Sequence, residues 1–171
     1  TQRRHQAHYL EIMKRVRGGD IGEIVSGQCY WNMGALWVDR AAHNWANRTA
    51  KGWSDMEWQV RNWLFTGWAG GDHIVEQHVH NLDVINWVLG AHPVKATGFG
   101  GRTAGNPSRP LGDPKETGHI WDHFAVEFEY PNGVPLYSYC THLPGVKSDV
   151  SETVYGSKGS SRVNAYQINK K

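Results

Sequence analysis

The sequence predicts an α+β fold in which a largely antiparallel, open-faced β-sheet carries helices on one face. Apolar residues recur at helical spacing in the first half of the chain, whereas strands of alternating polarity joined by tight turns fill the second half. The chain has 171 residues and 39% hydrophobic content, which suffices for one domain with a substantial core. We therefore expect a single domain over residues 1–171.

The first predicted elements are a helix and a strand separated by glycines. Residues 5–16 have apolar side chains at helical spacing, and the pair Gly18-Gly19 ends the pattern. Residues 23–31 are rich in β-branched and aromatic side chains, which predicts a strand. Residues 32–52 show no sustained period and contain several tryptophans, so we expect a long aromatic loop there.

Two further helices are predicted before the second half of the chain. Ser54 and Glu57 have the spacing of a capping box, which indicates a helix from there to about residue 64 or 65. Residues 70–90 read as one long helix, because Asp72 can cap its first turn and Gly90 can end it.

The remaining elements are predicted as strands. Residues 94–102 form one strand, followed by a loop with three prolines over 103–117. Residues 123–130 and 134–143 alternate in polarity around a turn at 131–133, which indicates a hairpin. A second hairpin is predicted over 151–166, with its turn at 156–159.

The long predicted helix carries a polar stripe that is the best candidate for chemistry. Glu76, His80, Asp83 and Trp87 fall on one side, with His73 at its edge. Of these, His73, Asp83 and Trp87 are predicted to contact substrate. The solvated side of any amphipathic helix gives the same pattern, but residues 73–90 contain no lysine or arginine. A carboxylate and an imidazole four residues apart can share a proton, so Glu76 and His80 are predicted as catalytic residues.

Some residues in this region have a structural interpretation as well. Asp83 can anchor a neighbouring loop without touching substrate, and His78 points to the apolar side, where we expect it to be buried. Arg61 and Trp63 can contact a substrate, although an ion pair of Arg61 with Glu57 is equally compatible with their spacing.

His119 and His123 stand just before the main hairpin strand and are further candidates for substrate contact. Together with Asp122, His73, Glu76 and His80 they include enough donor atoms for a metal ion. Ordinary hydrogen bonding at a strand entrance explains them better, so no metal site is predicted.

The bulk properties exclude several classes of function. The formal charge is +2 and the basic residues are scattered, so a nucleic-acid partner is not expected. No apolar run approaches the roughly 20 residues that cross a bilayer, and no membrane association is expected. Cys29 and Cys140 lie in predicted strands without metal or redox spacing, so buried free thiols are expected. The nine tryptophans suit either a core edge or a surface that stacks on sugar rings.

Several landmarks carry a resemblance to a known family. Gly70-Gly71, Glu76, His80 and the Leu89-Gly90 helix end resemble the signature of the glucose–fructose oxidoreductase, inositol dehydrogenase and rhizopine-catabolism (Gfo/Idh/MocA) family. Residues 19–24 look like its "G-x-I-G-x-I" entry into the first strand, and residues 156–159 are similar to its late "G-T-K-G" turn. The resemblance is to the second, dihydrodipicolinate reductase-like domain of the family.

The resemblance implies that this chain is a substrate-binding and oligomerisation domain of a bacterial NAD- or NADP-dependent oxidoreductase acting on a carbohydrate. The nucleotide would be bound mainly by an N-terminal Rossmann domain, which also carries a Glu-Lys-Pro lysine. His80 matches the histidine that removes the hydroxyl proton, whereas the family's aspartate four residues earlier is Glu76 here. Homo-oligomers would form through the open sheet. We expect the chain to be part of a longer protein, cytoplasmic or periplasmic, and inactive alone.

Two other functions remain open at this point. The first is an NAD-dependent glycoside hydrolase or lyase that works by transient oxidation of its substrate. The second is a non-catalytic module that binds carbohydrate or protein through its aromatic residues.

Overall fold

A computed structural model of the chain describes residues 1–34, 51–102 and 118–170. Within these ranges seven strands form one open sheet in the order β2-β3-β4-β1-β5-β6-β7. All neighbours are antiparallel except β1 and β4, which run parallel. The predicted fold class is confirmed. The strands are β1 (Ile24–Asn32), β2 (Lys95–Gly101), β3 (His123–Glu129), β4 (Pro135–Thr141), β5 (Asp149–Gly156), β6 (Gly159–Arg162) and β7 (Gln167–Lys170).

The helices are α1 (Ala7–Arg17), α2 (Asp55–Arg61), α3 (Gly67–Gly70), α4 (His73–Glu76) and α5 (Val79–Leu89). Helix α5 packs against β1 and β5, and α1 packs beside it. No helix in the described ranges is long and apolar enough to cross a bilayer. The core between helices and sheet includes Tyr9, Ile12, Val16, Val84, Ile85, Leu136 and Val154.

Alternation along the strands separates a helix-covered face from an open face. Cys29 on β1 pairs in register with Ser138 on β4 and with Glu152 on β5, and all three side chains are buried. The expected burial of Cys29 and Cys140 as free thiols is confirmed. Burial raises the pKa of both thiols, so they are inert and serve packing.

The prediction of one helix over residues 70–90 is wrong. The chain forms α3, α4 and α5 instead, and Gln77 and His78 interrupt the last two. At this break the side chain of His78 turns into the core, where its Nε2 lies 2.7 Å from Oγ of Ser138. Val75, which a continuous helix would place on the core side, is 53% exposed, because the break changes the phase of the helix. The predicted burial of His78 and the stop at Gly90, which is left-handed, are confirmed.

Other boundaries also differ from the predictions. Helix α2 ends at Arg61, after which Trp63–Phe65 forms a 3-10 turn. Ser54 caps the amide of Glu57, but the Glu57 carboxylate pairs with Arg61, so only half of the capping box forms. The last predicted strand ends at Arg162, because Val163–Ala165 forms a 3-10 turn before β7. The predicted loop over 103–117 and most of the aromatic loop over 32–52 lie outside the described residues.

Candidate functional site

His80, the predicted base, is the second residue of α5 and lies half-buried beside Trp31. The two ring centroids are 5.6 Å apart, and the ring planes are inclined by 40°. The imidazole Nδ1 is buried and has no hydrogen-bond partner among the described residues. Burial, followed by the positive charge of Arg3, lowers the pKa of His80. The imidazole is therefore neutral near pH 7 and able to accept a proton.

Glu76 is separated from His80 by the break between α4 and α5. Its carboxylate accepts a hydrogen bond from the side chain of Gln77, and no hydrogen bond joins it to His80 within the described ranges. The direct pairing expected from a continuous helix is therefore absent. Glu76 is half-buried, and its catalytic role stays a prediction.

A buried polar network lies next to His80 along the chain. Glu152 on β5 is fully buried and forms an ion pair with Arg3. The same carboxylate accepts hydrogen bonds from the Tyr9 hydroxyl at 3.2 Å and from Nδ2 of Asn81 at 2.8 Å. Burial raises the pKa of Glu152, and the charge of Arg3 opposes that rise. The network connects the N-terminal segment, α1, α5 and β5.

Asp83 binds the N-terminal segment of the chain. Both of its carboxylate oxygens accept hydrogen bonds from Arg4, at distances of 2.8 to 3.0 Å. Although burial acts in the opposite direction, these hydrogen bonds hold the pKa of Asp83 well below its usual range. Arg4 also lies 5.4 Å from the ring centroid of Trp87. These contacts support the anchoring role of Asp83, and substrate contact by Asp83 or Trp87 stays a prediction.

A second polar cluster lies between α4 and the ends of β3 and β4. His73 is 2% exposed, and its ring packs edge-on against His142 at 4.6 Å. Asp122 is also buried, and its Oδ1 lies 2.7 Å from Nδ1 of His123. The amide of His142 donates to the backbone oxygen of Asp122 at 3.1 Å. Within the part of the chain that the structure describes, no three His, Cys, Asp or Glu side chains are arranged to hold a metal ion.

The remaining predicted substrate contacts are solvent-exposed. Arg61 forms an ion pair with Glu57 at 2.9 Å, as the alternative interpretation of the sequence had it, and lies over the ring of Trp53. Trp63 is 38% exposed in the 3-10 turn after α2. His119 is exposed, and its amide donates to the backbone oxygen of Phe65. None of these contacts tests a binding role, which stays a prediction for each residue.

Sequence reasoning did not single out the members of the Glu152 network. Glu152 had a usable signal, because it stands between Val150 and Val154 in a predicted strand, in phase with side chains that face the core. Arg3 had none, since it lies in polar sequence before the first predicted helix and its partner is 149 residues away.

The open face of the sheet carries an aromatic row. Phe99, Ala125, Tyr139 and Tyr30 are in register across four neighbouring strands. Phe99 is 80% exposed, and the nearby Tyr137 is 53% exposed. An exposed aromatic surface of this kind is typical of a protein contact.

Comparison with known proteins gives one family match. Residues 9–162 match a family model described as the GFO/IDH/MocA C-terminal domain. No curated protein sequence matches the chain.

Among solved structures, the chain is similar to myo-inositol 2-dehydrogenase from Lactobacillus plantarum, with 20% identity and a TM-score of 0.64 over 94% of this chain and 40% of that chain. Scyllo-inositol dehydrogenase from Lactobacillus casei with bound NAD(H) and scyllo-inositol is 17% identical, with a TM-score of 0.61 over 94% of this chain and 39% of that one. A super-repressor mutant of Gal80p from Saccharomyces cerevisiae is 12% identical, with a TM-score of 0.66 over 93% and 38%. The chain thus spans 38–40% of these proteins, and at such identities the likeness establishes the fold.

Proposed function

Because the chain belongs to the GFO/IDH/MocA family, whose C-terminal-domain model covers residues 9–162, we propose that it is the substrate-binding domain of an NAD(P)-dependent oxidoreductase acting on a sugar or polyol. Two of the similar structures are inositol dehydrogenases, and one of them holds NAD(H) and scyllo-inositol. The observation that carries the proposal is the buried Nδ1 of His80, which has no partner among the described residues. An imidazole nitrogen that makes no hydrogen bond to the described residues can accept one from a substrate hydroxyl.

In the proposed reaction His80 removes the proton of a substrate hydroxyl as the carbon that bears it is oxidised. NAD(P), when bound, accepts the hydride from that carbon. Burial and the charge of Arg3 keep the imidazole neutral and thus ready to accept the proton. We propose that Glu76 binds a second hydroxyl of the substrate rather than orienting His80, since no hydrogen bond joins the two side chains among the described residues.

The nucleotide requires a separate binding unit. The sequence contains no G-x-G-x-x-G loop, whose backbone amides would bind a pyrophosphate. We propose that a Rossmann domain joined to this chain binds NAD or NADP, and we call that combination the full-length protein. The chain by itself should show no redox turnover.

A turnover screen of the full-length protein tests the proposal. NAD and NADP would each be combined with inositols, sugars, polyols and aryl glycosides, while nicotinamide absorbance and product are followed together. We expect NAD or NADP to be reduced in the presence of at least one polyol or sugar. The turnover rate should fall roughly 100-fold or more in His80→Ala. The matched control is His5→Ala, which removes an exposed histidine. Undiminished turnover in His80→Ala would contradict the proposal, and glycoside cleavage without net reduction would favour a hydrolase or lyase.

A non-catalytic binding module is the second candidate function. The observation that favours it is the similarity to Gal80p, since that structure is a super-repressor mutant. In this case no substrate would be oxidised, and His80→Ala would leave the binding function intact. This candidate would be supported if the full-length protein bound scyllo-inositol or NAD in equilibrium dialysis while showing no turnover.

We further propose that the full-length protein is a homo-oligomer whose contact is the open sheet face. The aromatic row and Tyr137 support this, because water-exposed aromatic side chains are stabilised by burial in an interface. Tyr137→Glu should lower the molar mass seen by light scattering to that of a smaller assembly. Leu10→Glu on α1, where Leu10 is 49% exposed, is the matched control. An unchanged mass in Tyr137→Glu would place any oligomer contact elsewhere.

A further inference from the structure

We propose that Arg3 and Trp31 are positioning residues for His80, and that Glu152 is the buried anchor that fixes Arg3. This inference rests on the proposed role of His80 as a base. It implies that the N-terminal segment, through Arg3, and the end of β1, through Trp31, contribute side chains to the site.

The Trp31 ring lies close to both Arg3 and His80. The guanidinium carbon of Arg3 lies 5.6 Å from its ring centroid, and the His80 ring lies 5.6 Å from it as well. The backbone of Trp31 is fixed on both sides, because it pairs in register with Cys140 on β4 and Val150 on β5. An indole held by a central strand is a rigid support for an imidazole.

Glu152 fixes Arg3 and the turn of α5 that carries His80. It is 0% exposed and forms an ion pair with Arg3, which itself is 8% exposed. It also accepts a hydrogen bond from Asn81, the residue that follows His80 in α5. One carboxylate therefore fixes both the guanidinium and the helical turn that carries the imidazole. Burying such a pair costs free energy of desolvation, so its presence favours a role beyond stability.

The charges around His80 come from each element packed against it. Arg3, in the 3-10 turn Gln2–His5, and the amino group of Thr1 oppose protonation, whereas Asp83 on α5 favours it. Asp83 is compensated by Arg4, and Glu152 on β5 is compensated by Arg3. Glu76, at the end of α4, is a further carboxylate near the break. Removal of the Arg3 charge should therefore favour the protonated imidazole.

The test compares four variants of the full-length protein: three by the pH dependence of kcat/KM, and Trp31→Leu by its kcat and KM. In Arg3→Met, the acid limb should move to higher pH by roughly half a unit, the effect of one partly screened charge. Arg3→Lys retains the charge and should keep the acid limb near that of the parent. Arg15→Met removes a surface arginine that pairs with Asp20, and it should leave the profile unchanged. Trp31→Leu should lower kcat about tenfold with a smaller change in KM, because the imidazole loses its support.

A second measurement keeps the inference testable if Arg3→Met fails to fold. The double variant Arg3→Met/Glu152→Gln removes both buried charges, and NMR titration of the His80 ring then reports its pKa without turnover. A raised His80 pKa in either variant supports the inference, and an unchanged pKa and acid limb would overturn it. If His80→Ala abolishes turnover while Arg3→Met and Trp31→Leu change nothing, the inference fails and the proposed function stands. If His80→Ala is fully active, the proposed function fails, and the inferred positioning role fails with it.

Discussion

Protonation of His78 is expected to destabilise the fold as the pH falls. Its ring is fully buried, and burial followed by the charges of His73 and Arg3 lowers its pKa from 6.5 to about 3. The unfolded chain then binds a proton that the folded chain does not, so this contribution is complete above pH 6.5 and is lost toward pH 3. Because one pKa unit corresponds to about 1.4 kcal/mol, we expect a loss of about 2 kcal/mol in the free energy of unfolding at pH 5.

Urea unfolding of the chain at pH 7.5 and pH 5 measures this loss. His78→Asn retains a hydrogen-bonding side chain but does not titrate, so it should lose about 2 kcal/mol less than the parent between these two pH values. Other acid-sensitive groups are common to both proteins and cancel in the comparison. His5→Asn, which replaces an exposed ring, should follow the parent. Equal losses in the parent and in His78→Asn would refute the argument from burial.

Three further predictions concern stability and can be checked by the same urea unfolding. Ile85 is 0% exposed, so Ile85→Ala should lower the free energy of unfolding by about 3 kcal/mol. The control Val94→Ala, at a site that is 68% exposed, should change it by no more than about 0.5 kcal/mol. A Cβ at Gly156 would clash with the backbone oxygen of Ile21, so Gly156→Ala should cost about 2 kcal/mol. Gly34→Ala should be nearly neutral, because no atom of the described residues lies within 4 Å of its Cβ. Asp83→Asn should cost about 1 kcal/mol at pH 7 because it weakens the bonds from Arg4. That difference should shrink as the pH falls, since the pKa of Asp83 is held low in the folded chain and its contribution is lost on protonation.

The strands could be predicted more accurately than the helices of the site. The hairpin of β3 and β4 follows from local alternation around Pro131-Asn132-Gly133, which the sequence displays directly. The break at His78 could not be predicted in this way, because the contact that His78 makes there is with Ser138, a residue 60 positions away in the sequence. The periodicity of residues 70–90 correctly places His78 on the buried side, but it carries no information on where the hydrogen bonds of the helix are interrupted.

In the candidate site, too, residues that share one helix could be predicted from the sequence, whereas residues from separate segments could not. His80 and Asp83 stand out because one helix places them together, and the structure keeps both on α5. Arg3, Trp31 and Glu152 come from three segments that only the assembled sheet brings together. No spacing within a single element encodes that arrangement.

The position of β1 joins two parts of the sheet that are each built from near neighbours in the sequence. Strands β4 and β5 are separated by only residues 142–148, yet they do not pair with each other, because β1 lies between them. The hairpin of β3 and β4 and the ribbon of β5 and β6 can form early from near neighbours, but each then presents an unpaired edge. Insertion of β1, from a segment more than one hundred residues earlier, covers both edges at once. The same pairing brings Trp31 beside His80, so the geometry of the site depends on the complete centre of the sheet.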